Sequence, residues 1–187
     1  EVLARMQESR VGATLVGTDF KMSKAAVELA EKYDFLWASV GLHPNTNLEE
    51  DFDISKYQKL VQHPKAVAIG ECGLDYYRQE PSDKIKKAQH ERFTKHLELA
   101  RACNKPLIIH CRPTQGTTNA HEEILELLEV HKGVRAVMHF FTSTKEIAEK
   151  YLALGCYLSF PGPITFTDMY DDVVRATPLE RLLSETD

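Results

Sequence analysis

Cysteine is scarce and unpatterned in this chain. Four occur in 187 residues, Cys72, Cys103, Cys111 and Cys156, and none form a C-x-x-C pair. That spacing argues against a zinc ribbon or a disulfide framework and predicts reduced, mostly buried thiols in a cytoplasmic protein. No apolar run approaches the roughly 20 residues that a membrane span requires. No signal peptide is visible, although the chain opens inside a helix-like stretch without an initiator Met. Basic clusters are also missing: 23 Lys and Arg stand against 28 Asp and Glu, a net charge of −5, with both signs spread along the chain. Proteins that coat nucleic acid regardless of sequence need a basic stripe, so that class is disfavoured. A site that grips one phosphate through metal ions needs none. No low-complexity segment or linker interrupts the chain, which suits one domain over 1–187 with enough apolar residues for a core.

What is present is an alternation of short apolar runs with helical patterns. Residues 1–9 read as the tail of a helix and 13–18 as a strand reaching Asp19. Ser23 is the expected cap of a helix to about Tyr33. Strands are then expected over 35–40, closed by Gly41-Leu42-His43-Pro44, over 66–70, ending in Glu71, and over 107–109, ending in His110. Further strands are expected over 134–138, ending in His139, over 156–159, and at Leu182-Leu183 before Glu185-Thr186-Asp187. Helices are predicted over 54–62, 82–104 and 120–130, and from a Ser143 cap to about Leu154.

Strands this short and apolar throughout suit a parallel sheet buried on both faces. A doubly wound open sheet with a nucleotide site usually carries a Gly-rich turn after its first strand, and none is present. Asp19, His43, Glu71, His110, His139, Ser159 and Asp187 instead close successive runs. A (β/α)₈ barrel brings such strand ends to one mouth, so the expected class is α/β of the TIM-barrel type.

Four of those residues, Glu71, His110, His139 and Asp187, are metal-ligand types. Mixed imidazole and carboxylate donors suit zinc, manganese and related divalent ions. A carboxylate can bridge two ions, which activate water and stabilise charge on the attacking and leaving oxygens of a phosphoester. A lone strand-end His is more often structural, and a lone acid is more often a cap. Periodicity therefore leaves the structural and metal-site readings both open.

At these positions the sequence resembles a known family. Ile69-Gly70-Glu71-Cys72-Gly73-Leu74-Asp75 is similar to the I-G-E-x-G-L-D signature of the TatD family of metal-dependent deoxyribonucleases. Gly41-Leu42-His43-Pro44, Ile109-His110-Cys111-Arg112, His139-Phe140-Phe141 and Glu185-Thr186-Asp187 match its G-x-H-P, H-x-R, H-x-F and E-T-D segments in order. The resemblance spans essentially the whole chain. It implies an amidohydrolase-like (β/α)₈ barrel that hydrolyses phosphodiesters in DNA, at single strands or ends, an ester hydrolase of class EC 3.1. It further implies two divalent ions (Mg, Mn or Zn), with Glu71 bridging, His110 and His139 on one ion, and Asp187 on the other while orienting the water. His43 and Arg112 would meet the substrate phosphate, Arg112 through its planar donor fork. Asp75 and Tyr76, in the loop expected after Glu71, are open to two readings: residues that support the ligands or line the substrate site, or structural residues of that loop. No membrane and no obligate protein partner is implied. The same barrel could instead cleave carboxylic esters, such as an aminoacyl ester on tRNA, or serve as a non-catalytic scaffold.

The chain departs from the family pattern in three places. The family's first strand carries an H-x-H pair, and none occurs here. The expectation is a barrel lacking its first strand and its C-terminal helix, with weak activity in the 187 residues alone. After Arg112 the chain has Pro113-Thr114-Gln115-Gly116-Thr117-Thr118-Asn119 in place of a short acidic stretch, and Phe141-Thr142-Ser143 replaces a Ser-Gly turn. The first loop would lie at the mouth.

Overall fold

The computed structural model describes residues 1–46, 50–77 and 82–186. Helix α1 (Val2–Glu8) leads into strand β1 (Ala13–Leu15), α2 (Phe20–Ala30), β2 (Leu36–Val40) and α3 (Ile54–Val61). The chain continues through β3 (Ala66–Asp75), α4 (Asp83–Cys103), β4 (Leu107–Arg112), α5 (Asn119–Val130) and β5 (Ala136–Met138). Next come α6 (Lys145–Ala153), β6 (Tyr157–Phe160), two 3₁₀ turns, α7 (Asp171–Ala176), a third 3₁₀ turn and β7 (Leu182–Ser184).

Among the described residues, the seven strands form one parallel sheet in the order β1 to β7, each strand beside its neighbours in sequence. A doubly wound sheet reverses its order part-way; a (β/α)₈ barrel never does. The unreversed order, with a helix in each crossover, is the barrel expected from the sequence. All strand C-termini therefore point to one mouth.

Side chains alternate as the pleat demands. On β4, Leu107, Ile109 and Cys111 are buried under the helices, whereas Ile108, His110 and Arg112 face the barrel side and are less covered. Outward strand residues pack with the inner faces of the helices, for example Phe93, Leu97 and Ala100 of α4 and Ile124 and Leu128 of α5. All four cysteines are free, and Cys72, Cys111 and Cys156 are buried. No helix among the described residues is long and apolar enough to cross a membrane.

Three expectations are corrected. Helix α2 is capped by Asp19, whose carboxylate accepts the Met22 N–H at 2.6 Å. Ser23 is instead buried inside that helix, bonded to the Gly41 backbone in both directions at 3.1 and 3.2 Å. Helix α6 is capped by Thr144 rather than Ser143. Strand β3 does not end at Glu71 but runs on to Asp75, so the loop expected there is extended chain.

Candidate metal centre

Glu71 owes its position to a bulge. From Ile69 to Cys72, β3 advances three residues (72 − 69) while its partner β4 advances two, from Leu107 to Ile109. The extra residue breaks the alternation and re-aims a side chain. Two glycines frame the break, Gly70 at φ +137° and Gly73 at φ +138°. A Cβ would lie 2.4 Å from the Ile108 carbonyl oxygen at Gly70 and 2.0 Å from that of His110 at Gly73. Only glycine fits either place. The Glu71 N–H donates to the Gly17 carbonyl at 2.8 Å, which ties the bulge to the loop after β1.

Around the buried Glu71 carboxylate stand three imidazoles. His110 Nδ1 lies 3.0 Å from Oε1, His43 Nε2 3.6 Å and His139 Nε2 3.8 Å. His43, Glu71 and His110 each offer a donor atom within 4.8 Å of the others, a spacing that can hold a metal ion.

Each imidazole is held from its far side. His110 Nε2 is 3.0 Å from Asp75 Oδ2. His139 Nδ1 bonds the Glu185 carboxylate, whose other oxygen accepts the Phe140 N–H at 2.6 Å. These are the carboxylate–histidine pairings that orient metal-ligating imidazoles. His43 differs. Its Nδ1 accepts the Asn45 N–H at 3.1 Å, so the ring proton sits on Nε2 and points at Glu71.

The electrostatics follow from these contacts. Burial opposes charge on His110, but its hydrogen bonds to Asp75 and Glu71 outweigh that and push its pKa up to about 9. Burial, helped by the neighbouring His110, pushes His43 down to about 4 and keeps it neutral. Burial raises the Glu71 carboxyl, yet the surrounding imidazoles win and hold it below its ordinary value. Asp75 follows the same pattern, through His110 and the Tyr77 N–H. Without an ion, a charged His110 supplies the positive charge that the two carboxylates require.

Helix α4 fixes the segment bearing His43. His96 Nε2 accepts the Leu42 N–H at 3.0 Å. Arg92 donates to the carbonyls of His43, Thr46 and Glu50 at 3.0, 2.8 and 2.8 Å. Gln89 brackets the Asp75 backbone at 2.9 and 3.0 Å.

The structure thus brings Glu71, His43, His110, His139 and Asp75 together. Arg112 closes β4 on the same face as His110, in register with Asp75, and its guanidinium lies 3.8 Å from the Tyr77 ring centroid. Tyr76 is turned away, with its hydroxyl donating to Glu123 at 2.6 Å. Asp187 lies outside the described residues. Sequence reasoning gave no role to Glu185, Gln89, Arg92, His96 or Tyr77. Glu185 alone carried a signal, as the first residue of the E-T-D run.

The family model described as TatD related DNase matches residues 1–187. The chain belongs to the TatD-related DNase family. It is 36% identical over 193 residues to a Bacillus subtilis protein named uncharacterized metal-dependent hydrolase YabD, covering 100% of this chain and 72% of that one. It is 32% identical over 201 residues to a Shigella flexneri protein named 3'-5' ssDNA/RNA exonuclease TatD, covering 100% of this chain and 71% of that protein. The solved structure of YJJV, a TatD homologue from Escherichia coli K12, matches with a TM-score of 0.79 at 29% identity, over 94% of this chain and 67% of that one. Among its curated relatives, this TatD-family chain spans as little as 58% of the relative's length.

Proposed function

We propose that the protein is a metal-dependent hydrolase that cleaves phosphodiester bonds in single-stranded DNA. The observation that carries this reading is one buried carboxylate, Glu71, facing three imidazoles, two of them backed by further carboxylates. The donor set of carboxylate and imidazole fits zinc, manganese or a related divalent ion. Nuclease chemistry is supported by relatives named as ssDNA/RNA exonucleases.

In this reading Glu71 would serve as the hub ligand, with His110, His139 and Asp187 also holding the divalent ions. Bound ions would activate water and stabilise charge on the phosphate oxygens. Asp75 and Glu185 keep the His110 and His139 rings aimed at Glu71. His43 suits a different role. Neutral, with its proton on Nε2, it donates a hydrogen bond to a phosphate oxygen better than it ligates an ion. Arg112 adds a planar donor fork. Among the described residues it forms no ion pair, so the guanidinium is not committed to a carboxylate.

The test is hydrolysis by the metal-loaded protein of a labelled single-stranded oligodeoxynucleotide, beside an aminoacyl-tRNA. Metal-dependent cleavage of the DNA, abolished by chelation and restored by manganese or zinc, is the expected result. Turnover of the aminoacyl ester alone would remove the phosphodiesterase reading.

A further inference from the structure

Two successive tyrosines leave the end of β3 in opposite directions. Tyr76 is 1% exposed, its hydroxyl bonded to Glu123 and its ring under the Lys86 ammonium, 5.1 Å from the centroid. Tyr77 is 47% exposed, with Arg112 stacked on its ring. The Tyr77 backbone is not loose: its N–H donates to Asp75 Oδ1 at 3.0 Å, while Oδ2 of the same carboxylate is 3.0 Å from His110. One carboxylate therefore fixes both an imidazole of the metal centre and the base of an exposed aromatic ring. Arg112 is two residues beyond His110 on β4, about 7 Å along the strand, on the same face. That step is on the scale of a single nucleotide.

Building on the phosphodiesterase reading, we infer that Tyr77 and Arg112 form a stacking platform for the base of the nucleotide beside the scissile phosphate. An exposed ring face takes any base, because every base has a π-face, and a guanidinium adds attraction to both base and phosphate. The clamped Tyr76 and Asp75 hold the platform rigid, so little ordering is needed when a strand arrives. The ligand class is an unpaired nucleotide of a single strand, since a base inside a duplex has both faces stacked on its neighbours.

The test compares oligothymidylate with a strand of equal length built from abasic units. Both are hydrolysed with the metal-loaded wild type, Tyr77→Ala and Tyr77→Phe. Tyr77→Ala is expected to raise KM for oligothymidylate about tenfold with a smaller change in kcat, to leave the abasic strand little affected, and to be rescued by Tyr77→Phe. Equal losses on both strands, or none on either, would overturn the platform. Fluorescence anisotropy of the same strands with chelated protein gives a second readout that needs no turnover. Preference for the base-bearing strand, lost in Tyr77→Ala, supports the platform even if wild type cleaves neither strand and the phosphodiesterase reading falls. Equal binding of both strands, or no binding of either, counts against it.

Discussion

The Asp75 carboxylate lies 3.0 Å from His110 Nε2, on the opposite side of the ring from the Glu71 carboxylate at Nδ1. Asp75 is not among the three residues whose donor atoms lie within 4.8 Å of one another; it acts by fixing the ring of His110, which is one of them. Glu185 does the same for His139. Both Asp75 oxygens are used as acceptors, one by His110 and one by the Tyr77 N–H. An asparagine in its place would offer one acceptor oxygen and turn an NH₂ toward the other donor. Asp75→Asn is therefore expected to weaken metal affinity about 10–100-fold. Calorimetric titration with zinc or manganese checks this, and an unchanged affinity would remove Asp75 from the ligand-orienting role.

Metal binding should appear as stability. An ion that binds only the folded state at about 100 times its Kd stabilises by about 2.7 kcal/mol. Wild type is expected to show that gain on addition of manganese or zinc and to lose it with chelator. Glu71→Gln keeps the shape of the side chain but gives up the carboxylate at the hub, so it should fold and yet fail to respond. A variant that still gained the full increment would show that Glu71 is not the central ligand.

Acid should destabilise the protein before its carboxylates titrate. His96 is fully buried, stacked on Phe52 with ring centroids 3.7 Å apart, and accepts the Leu42 N–H. Burial holds its pKa at about 3 against an ordinary 6.5, and burial likewise holds His121 at about 4. Below pH 6.5 the unfolded chain takes up protons that the folded chain refuses, so stability is full above that pH and falls as pH drops. Each such histidine contributes about 1.4 kcal/mol per pH unit across its window. His110 acts in the opposite sense. With its folded pKa at about 9, its share of stability builds as pH falls from 9 toward 6.5 and is complete below that, where both folded and unfolded chains are protonated. The slope from the buried histidines is therefore clearest between pH 6 and 5. Urea melts at pH 7, 6 and 5 should show the loss, and His96→Gln should flatten the slope by one proton. A slope identical to wild type would mean that His96 is not the group refusing the proton.

The fold was legible because the chain states it repeatedly. Seven apolar runs alternate with helical patterns, and the residues after them include Glu71, His110 and His139. Capping was less legible. Asp19, Ser23, Ser143 and Thr144 all have the right chemistry, and a spacing of one to four residues cannot say which oxygen meets the N–H groups. The bulge was hidden for a different reason. The apolar run over 66–70 read as a strand ending in Glu71, whereas Gly70 and Gly73 let β3 pass close to the Ile108 and His110 carbonyls and continue to Asp75. Residues that act through long-range contacts left no local trace. Arg92 and His96 lie 49 and 54 residues from the atoms they hold, inside a helix whose charged and apolar pattern looks ordinary.

Arg92 supports a last prediction. Its guanidinium, mostly buried in the side of α4, donates to the carbonyls of His43, Thr46 and Glu50 and so gathers the segment after β2 onto the helix. Hydrogen bonds from a charged donor are worth about 1.5–3 kcal/mol each, and carbonyls left without a partner cost more than bonds never made. Arg92→Met keeps most of the stem's packing but removes every donor, so a loss of about 3 kcal/mol or more in unfolding free energy is expected. Arg92→Lys keeps the charge with a compact head that cannot span three carbonyls, and should recover only part of it. The segment matters because it sets the hydrogen-bond partner of the His43 ring through Asn45. In Arg92→Lys, protein that remains folded should therefore bind metal almost normally, since Glu71 and His110 sit on β3 and β4 and His139 directly follows β5, but should turn over substrate more slowly. Equal losses of metal affinity and turnover in that variant would place His43 among the ligands and not at the phosphate.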